Sequence, residues 1–211
     1  NHLYQIEEGV LIPRMDTEFL VEKARELLGK YKKMGQNPIV LELGFGSGII
    51  SIELAKLFPD FRFHAWDTSE SACKVATQNA TLHKIKNVTW KNADFFEEVT
   101  VSSSFFQSGD PVVIVSNPPY IPKQDIQELT KDVKEYEPHL ALDGGDDGLD
   151  YYKKLIDIAA QTNADVVVEI GIDQKVLLEE IVGAYSFSEI GFLDDFQGIP
   201  RVMFLVLKAI L

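Results

Sequence analysis

A chain of 211 residues that is 45% hydrophobic and 25% charged has the size and composition of one globular domain with a proper core. No apolar run is long enough to span a bilayer, the amino terminus lacks the basic start and apolar run of a secretory signal, and a single cysteine, Cys73, excludes an internal disulfide. A net charge of −13 disfavours a protein that grips nucleic acid, because phosphate neutralisation supplies most of that affinity.

The elements follow in chain order. "DTEFLVEKARELLGK" predicts a helix capped by Asp16 or Thr17, with Phe19, Leu20, Ala24, Leu27 and Leu28 on one face. The basic cluster at its end, Lys30, Lys32 and Lys33, reads as a solvated helix terminus. Residues 37–44 are a short apolar run ending in glycine, and 47–59 have helical spacing up to Pro59. A partly alternating strand covers 61–67, a helix capped by Ser69 or Thr68 covers 69–84, and a strand covers 87–94. Residues 98–110 read as a Ser-rich loop, and 111–117 as a fully buried strand. Residues 121–148 form the longest stretch without a strand, which favours a functional segment. A helix over 149–162, a buried strand over 164–171, a helix over 174–185 and two closing strands over 187–195 and 201–208 complete the chain. Alternating strands and helices with continuous apolar strands predict an α/β fold: a mostly parallel seven-stranded sheet covered by helices on both faces.

Three features carry chemistry. "LELGFGSG" joins the first strand to the next helix, with glycines at 44, 46 and 48 that permit close backbone approach to a ligand. Ile49 stands where a dinucleotide fingerprint needs glycine, and no Gly-Lys-Ser/Thr follows, so neither a pyrophosphate site nor a P-loop fits. S-adenosylmethionine (SAM), a ligand without pyrophosphate, fits. Asp67, at the end of the second strand, is placed to accept from both ribose hydroxyls. In "NADFF", Asp94 could accept from the adenine amino group and Phe95 could flank the ring.

The third feature is "SNPPY", where a buried strand runs into two prolines that cannot extend it. Asn117 offers a carbonyl oxygen and Pro118 a backbone carbonyl. Together they can accept both hydrogens of a planar –NH2 group, on which Tyr120 can stack. An amide or aromatic amine is a poor nucleophile because its lone pair is delocalised. Fixed acceptors stabilise positive charge developing on nitrogen as a methyl arrives. The motif therefore points to amino-group N-methylation without choosing between an amide and a base. "DGGDDG" (143–148) fails the EF-hand pattern and reads as a turn, and the four histidines show no zinc-ligand spacing.

The segments "GVLIPRMDTEFLVE", "VLELGFGSG", "AWDTS", "NADFF", "VSNPPYIP", "YEPHLALDGGDDGLDYY", "VVVEIGIDQ" and "GIPRV" resemble the HemK/PrmC family. That family methylates the N5 nitrogen of a glutamine side chain in peptide release factors. The resemblance implies a Rossmann-like class I SAM-dependent methyltransferase acting on the Gly-Gly-Gln loop in translation termination. It implies SAM as cofactor, a cytoplasmic location, and no stable nucleic-acid or membrane partner; a monomer is expected. It assigns Gly44, Phe45, Gly46, Ser47, Gly48, Asp67 and Phe95 to SAM, alongside Asp94 from the reading of "NADFF" above. Asn117, Pro118, Pro119 and Tyr120 go to the glutamine amide, with Asn117 also near the methyl donor and Arg14 and Asp16 beside them. Met15, Phe45 and Phe95 stand where the family usually has Pro, Thr and Trp; Phe45 is expected to alter the wall of the SAM site. Residues 1–36 are read as a lead-in segment and first helix, and 37–211 as the methyltransferase core. The family's helical N-terminal domain, which helps dock the release factor, is expected to be absent from this chain. The alternatives are a nucleic-acid amino methyltransferase, acting on adenine N6 or guanine N2 of a flipped base, and a non-catalytic SAM-binding subunit.

Overall fold

The computed structural model of the protein describes residues 3–129 and 137–207. Its strands are β1 (Ile39–Leu43), β2 (Arg62–Asp67), β3 (Val88–Asn92), β4 (Val112–Ser116), β5 (Asp165–Glu169), β6 (Glu189–Asp194) and β7 (Pro200–Val206). They form one sheet of order β3-β2-β1-β4-β5-β7-β6. The five strands from β3 to β5 run parallel, and β7 lies antiparallel between β5 and β6.

Every residue of β1, β4 and β5 is buried. Strands flank them on both sides and helices cover both faces, which is why they read as largely apolar runs, with Glu42, Ser116, Asp165 and Glu169 as buried polar exceptions. The pleat divides them. Val40, Val113 and Val167 point to the face covered by α1 (Thr17–Lys33) and α2 (Ile49–Leu57), where they meet Leu20, Leu28 and Leu54. Leu41, Ile114 and Val168 point to the other face, onto α6 (Asp150–Thr162) and α7 (Lys175–Val182) through Tyr152, Leu155 and Leu178. Each fully buried Leu, Ile or Val of these layers contributes about 1.5–3 kcal/mol of transfer free energy. The helix α3 (Glu70–Leu82) packs Ala72, Val75 and Ala76 on Ala65 and Phe45.

Three local expectations change. A short helix, α4 (Phe95–Glu98), precedes the expected loop 98–110, which itself holds another, α5 (Ser104–Gln107), rather than being a plain loop. Neither Asp16 nor Thr17 caps α1: Asp16 sits at the capping position without a side-chain cap bond and pairs with Arg201 at 3.3 Å, while Thr17 bonds to Glu169. Ser69, not Thr68, caps α3, accepting from the Ala72 N–H. Residues 130–136 of the long segment and Lys208 of the last predicted strand lie outside the described residues.

The chain leaves β1 in one direction towards β2 and β3 and in the other towards β4 and β5. A crevice opens at the carboxyl ends of the strands where these directions part. The register pairs Leu43 with Trp66 and with Ser116. The residues that follow, Gly44, Asp67 and Asn117, therefore emerge side by side.

Candidate active site

A cavity of about 270 Å3 occupies that crevice. Its walls include Gly44, Gly46, Asp67, Asp94, Phe95, Asn117, Pro118 and Pro119. The glycine loop turns back sharply: Gly44, Gly46 and Gly48 have φ of +71°, +50° and +79°. At 44 and 46 the missing side chain leaves bare backbone on the cavity wall. At 48 the reason is packing, since a Cβ would stand 2.9 Å from both Ala76 Cβ and Trp90 Cη2. Asp67 anchors the loop by accepting from the Gly46 N–H through Oδ2 and from the Ser69 N–H through Oδ1, both at 2.9 Å. Burial raises its pKa, and those two N–H groups pull the other way. The carboxylate keeps acceptor capacity towards the cavity.

The donor set fits SAM. Two carboxylates, Asp67 and Asp94, can accept from ribose hydroxyls and an adenine amine, and Leu43, Trp66, Ala93 and Tyr151 supply apolar walls. Asp94 also caps α4, accepting from the Phe96 N–H at 2.7 Å. Phe95 lines the cavity although it is 1% exposed, because its ring stands edge-on to Trp66.

Other predicted residues lie elsewhere. Phe45 does not form the cavity wall: its ring is buried edge-on against Trp90, so an aromatic in place of Thr extends the core instead. Ser47 and Gly48 lie behind the loop, where the Ser47 carbonyl accepts from Asn79 Nδ2 at 2.9 Å. Arg14 reaches the buried Glu137, next to the cavity residue Pro138. Asp16 is held by Arg201. Neither Arg14 nor Asp16 lines the cavity; the residue after them, Thr17, touches Asn117.

The segment after β4 is held by backbone. The Ile121 N–H donates to the Leu142 carbonyl, the Gly144 N–H to the Ile121 carbonyl and the Lys123 N–H to the Gly145 carbonyl, at 2.9–3.0 Å. "DGGDDG" is thus a brace for NPPY. Gly148 has φ of +74°, and a Cβ there would come within 2.4 Å of the Tyr120 carbonyl. Gln174 donates to that carbonyl at 2.9 Å and accepts from the Gly171 N–H at 2.8 Å. Tyr120 stands behind the prolines, its hydroxyl donating to Glu169 Oε1 at 3.3 Å. Burial and the neighbouring Glu169 carboxylate raise the phenol's pKa well above its ordinary value.

Sequence reasoning missed Gly9, Val10 and Leu11, which close the cavity from the lead-in segment, and Leu140 and Ala141, which close it from the other side. It also passed over Thr17 and Glu169 as site residues. The available signal was a carboxylate inside the apolar run "VVVEIG".

A family model described as a methyltransferase domain matches residues 40–136. A release factor glutamine methyltransferase of Thermodesulfovibrio yellowstonii is 36% identical over 95% of this chain and 70% of its own length. Relatives of the same name from Fusobacterium nucleatum and Geobacter sulfurreducens are 35% and 37% identical over 98% and 95% of this chain. The chain spans 56% and 66% of those two proteins. Among solved structures, the hMettl16 catalytic domain in complex with an RNA hairpin superimposes with a TM-score of 0.70 at 13% identity, covering 97% of this chain and 75% of that one. A ribosomal protein L11 methylase from Lactobacillus delbrueckii gives 0.55 at 18%, covering 95% and 82%. These two share the fold. With more than a third of its residues matched over nearly its whole length, the chain belongs to the release factor glutamine methyltransferase family.

Proposed function

We propose that the protein transfers a methyl group from SAM to the side-chain nitrogen of the glutamine in the Gly-Gly-Gln loop of a peptide chain release factor. The observation that carries this reading is the alignment of Asn117, Pro118 and Pro119 on the same cavity as Gly44, Gly46 and Asp67, in a chain of this family. Bound SAM supplies a sulfonium-activated methyl for direct displacement. The residues of the chain position and stabilise. Asp67 and Asp94 accept from the adenosine moiety, and the bare backbone of Gly44 and Gly46 lets it sit close. Asn117 Oδ1 and the Pro118 carbonyl accept the two hydrogens of the glutamine amide, holding its nitrogen towards the methyl. As the C–N bond forms, the nitrogen gains positive charge, and the two fixed acceptors stabilise that charge without reorganising. The excess proton leaves from a nitrogen that is acidic once methylated, so no strong general base is needed. The cytoplasm is the compartment of such a reaction, because release factors act there. The chain works as a monomer; residues 37–211 carry the SAM and NPPY loops, and residues 9–11 and Thr17 complete the site from the lead-in segment and α1.

The test is methyl transfer from labelled SAM to a release factor, duplex DNA and ribosomal RNA offered in parallel. Label on the release factor alone, lost in Asn117→Ala, supports the reading. Label on either nucleic acid overturns it and makes the site a base methyltransferase.

A further inference from the structure

Behind Asn117 lies a chain of hydrogen bonds that links three distant parts of the sequence. Asn117 Nδ2 donates to Thr17 Oγ1 at 3.3 Å, and Thr17 Oγ1 donates to Glu169 Oε2 at 2.8 Å. Thr17 is 5% exposed and Glu169 1%. The other carboxylate oxygen of Glu169 accepts from the Tyr120 hydroxyl. Glu169 ends β5 and Thr17 begins α1, so both partners sit on rigid elements.

We infer that Thr17 and Glu169 are positioning residues that fix which end of the Asn117 amide faces the substrate. The logic is one of donor and acceptor capacity. An ionised carboxylate only accepts. Thr17 must therefore spend its single hydroxyl proton on Glu169, and its oxygen is left as an acceptor. Its second neighbour, the Asn117 amide, must present –NH2 to it. Oδ1 is then turned the other way, as the acceptor that a substrate –NH2 needs. If Glu169 is protonated, it can donate to Thr17. Thr17 can then donate to Asn117, and the amide presents –NH2 to a substrate that is itself a donor. This inference rests on the proposed amide substrate for its catalytic consequence, but the orientation is a property of the free protein.

The surroundings place the change within reach of neutral pH. Burial pushes the Glu169 carboxyl up to about 7, opposed by the hydrogen bonds from Thr17 and Tyr120. Asp16 raises it further and Arg201 lowers it. Tyr152, from α6, donates to the Glu169 backbone carbonyl at 2.9 Å rather than to the carboxylate. Arg201 is itself shared between Asp16 and Asp195, so among the described residues Glu169 has no dedicated cation.

The experiment follows the side-chain amide resonance of Asn117 in uniformly 15N-labelled full chain, assigned by its loss in Asn117→Ala, from pH 5 to 9. The expected result is a titration with a midpoint near neutrality in the wild type. It should be lost in Glu169→Gln and in the isosteric Thr17→Val, and kept in Thr17→Ser. An Asn117 resonance that does not titrate, or that titrates unchanged in both variants, overturns the inference. In parallel, kcat for release-factor methylation should rise with pH through the same midpoint. Thr17→Val should lower it roughly tenfold to a hundredfold with KM for SAM unchanged, and Thr17→Ser should restore it. Thr17→Val melting like the wild type with full kcat would overturn the catalytic half. A wild type inert towards the release factor would overturn that half together with the proposed function, and the resonance would still decide the orientation.

Discussion

Replacing Glu42 with Gln tests the electrostatics beneath the glycine loop. Glu42 is a fully buried carboxylate one residue before the carboxyl end of β1. Its Oε2 accepts from the N–H of Ser51 at 3.1 Å and from the Ser51 hydroxyl, and its Oε1 has no partner among the described residues. Burial pushes its pKa from 4.5 up to about 8, the two Ser51 bonds oppose the shift, and the nearby Asp67 adds to it. The folded state therefore holds this proton more tightly than the unfolded chain does. The stability this contributes is complete below the ordinary carboxylate range and is lost as pH rises through about 8. At about 1.4 kcal/mol per tenfold change in proton affinity, the full gap is a ceiling of roughly 5 kcal/mol. Relaxation around the charged form reduces the expected loss to about 2–3 kcal/mol. Gln has the same shape and no charge, so Glu42→Gln should match the wild type at pH 5 and exceed it by about 5–10 °C in Tm at pH 9. Melting curves of both proteins across that range check it. Curves that stay parallel would refute the reasoning and mean that Glu42 is ionised, with a partner or water that neutralises the cost.

Three further outcomes are expected. Gly48→Ala combines a left-handed backbone with contacts of 2.9 Å to Ala76 and Trp90; it should cost about 2–4 kcal/mol, seen in denaturant unfolding. Asp67→Ala removes the proposed ribose acceptor and the anchor of Gly46 and Ser69. It should weaken SAM binding at least about tenfold by calorimetry, a loss the size of one charge-assisted hydrogen bond. Gly148→Ala pushes on the Tyr120 carbonyl and should lower kcat while SAM affinity stays within about twofold, because its clash lies behind NPPY and away from the glycine loop.

The sheet was legible because its central strands are buried on both faces and therefore mostly apolar, as in "VVIVS" and "DVVVE". The cavity's walls were legible for a related reason: Gly44 and Asn117 directly follow β1 and β4 and Asp67 ends β2, so strand order brings them together. What was not legible depends on contacts distant in sequence. Thr17 has the residue type and place of a helix cap, yet its partner lies 152 positions away on β5. Phe45 sits between two cavity-lining glycines, but a positive φ at Gly44 and Gly46 turns its ring away into the core. The role of "DGGDDG" as a backbone brace could not be read from the segment alone, since what makes Gly144 and Gly148 necessary is the Tyr120 main chain lying against them.

The central claim is that the NPPY end of this cavity presents acceptors to a glutamine amide. Mass spectrometry of a release factor incubated with the protein and SAM tests it most directly, by locating the added methyl in the peptide. The account predicts one methyl on the side chain of the glutamine in Gly-Gly-Gln, and none with Asn117→Ala. A methyl on any other residue, or on that glutamine with Asn117→Ala as fast as with the wild type, would contradict it.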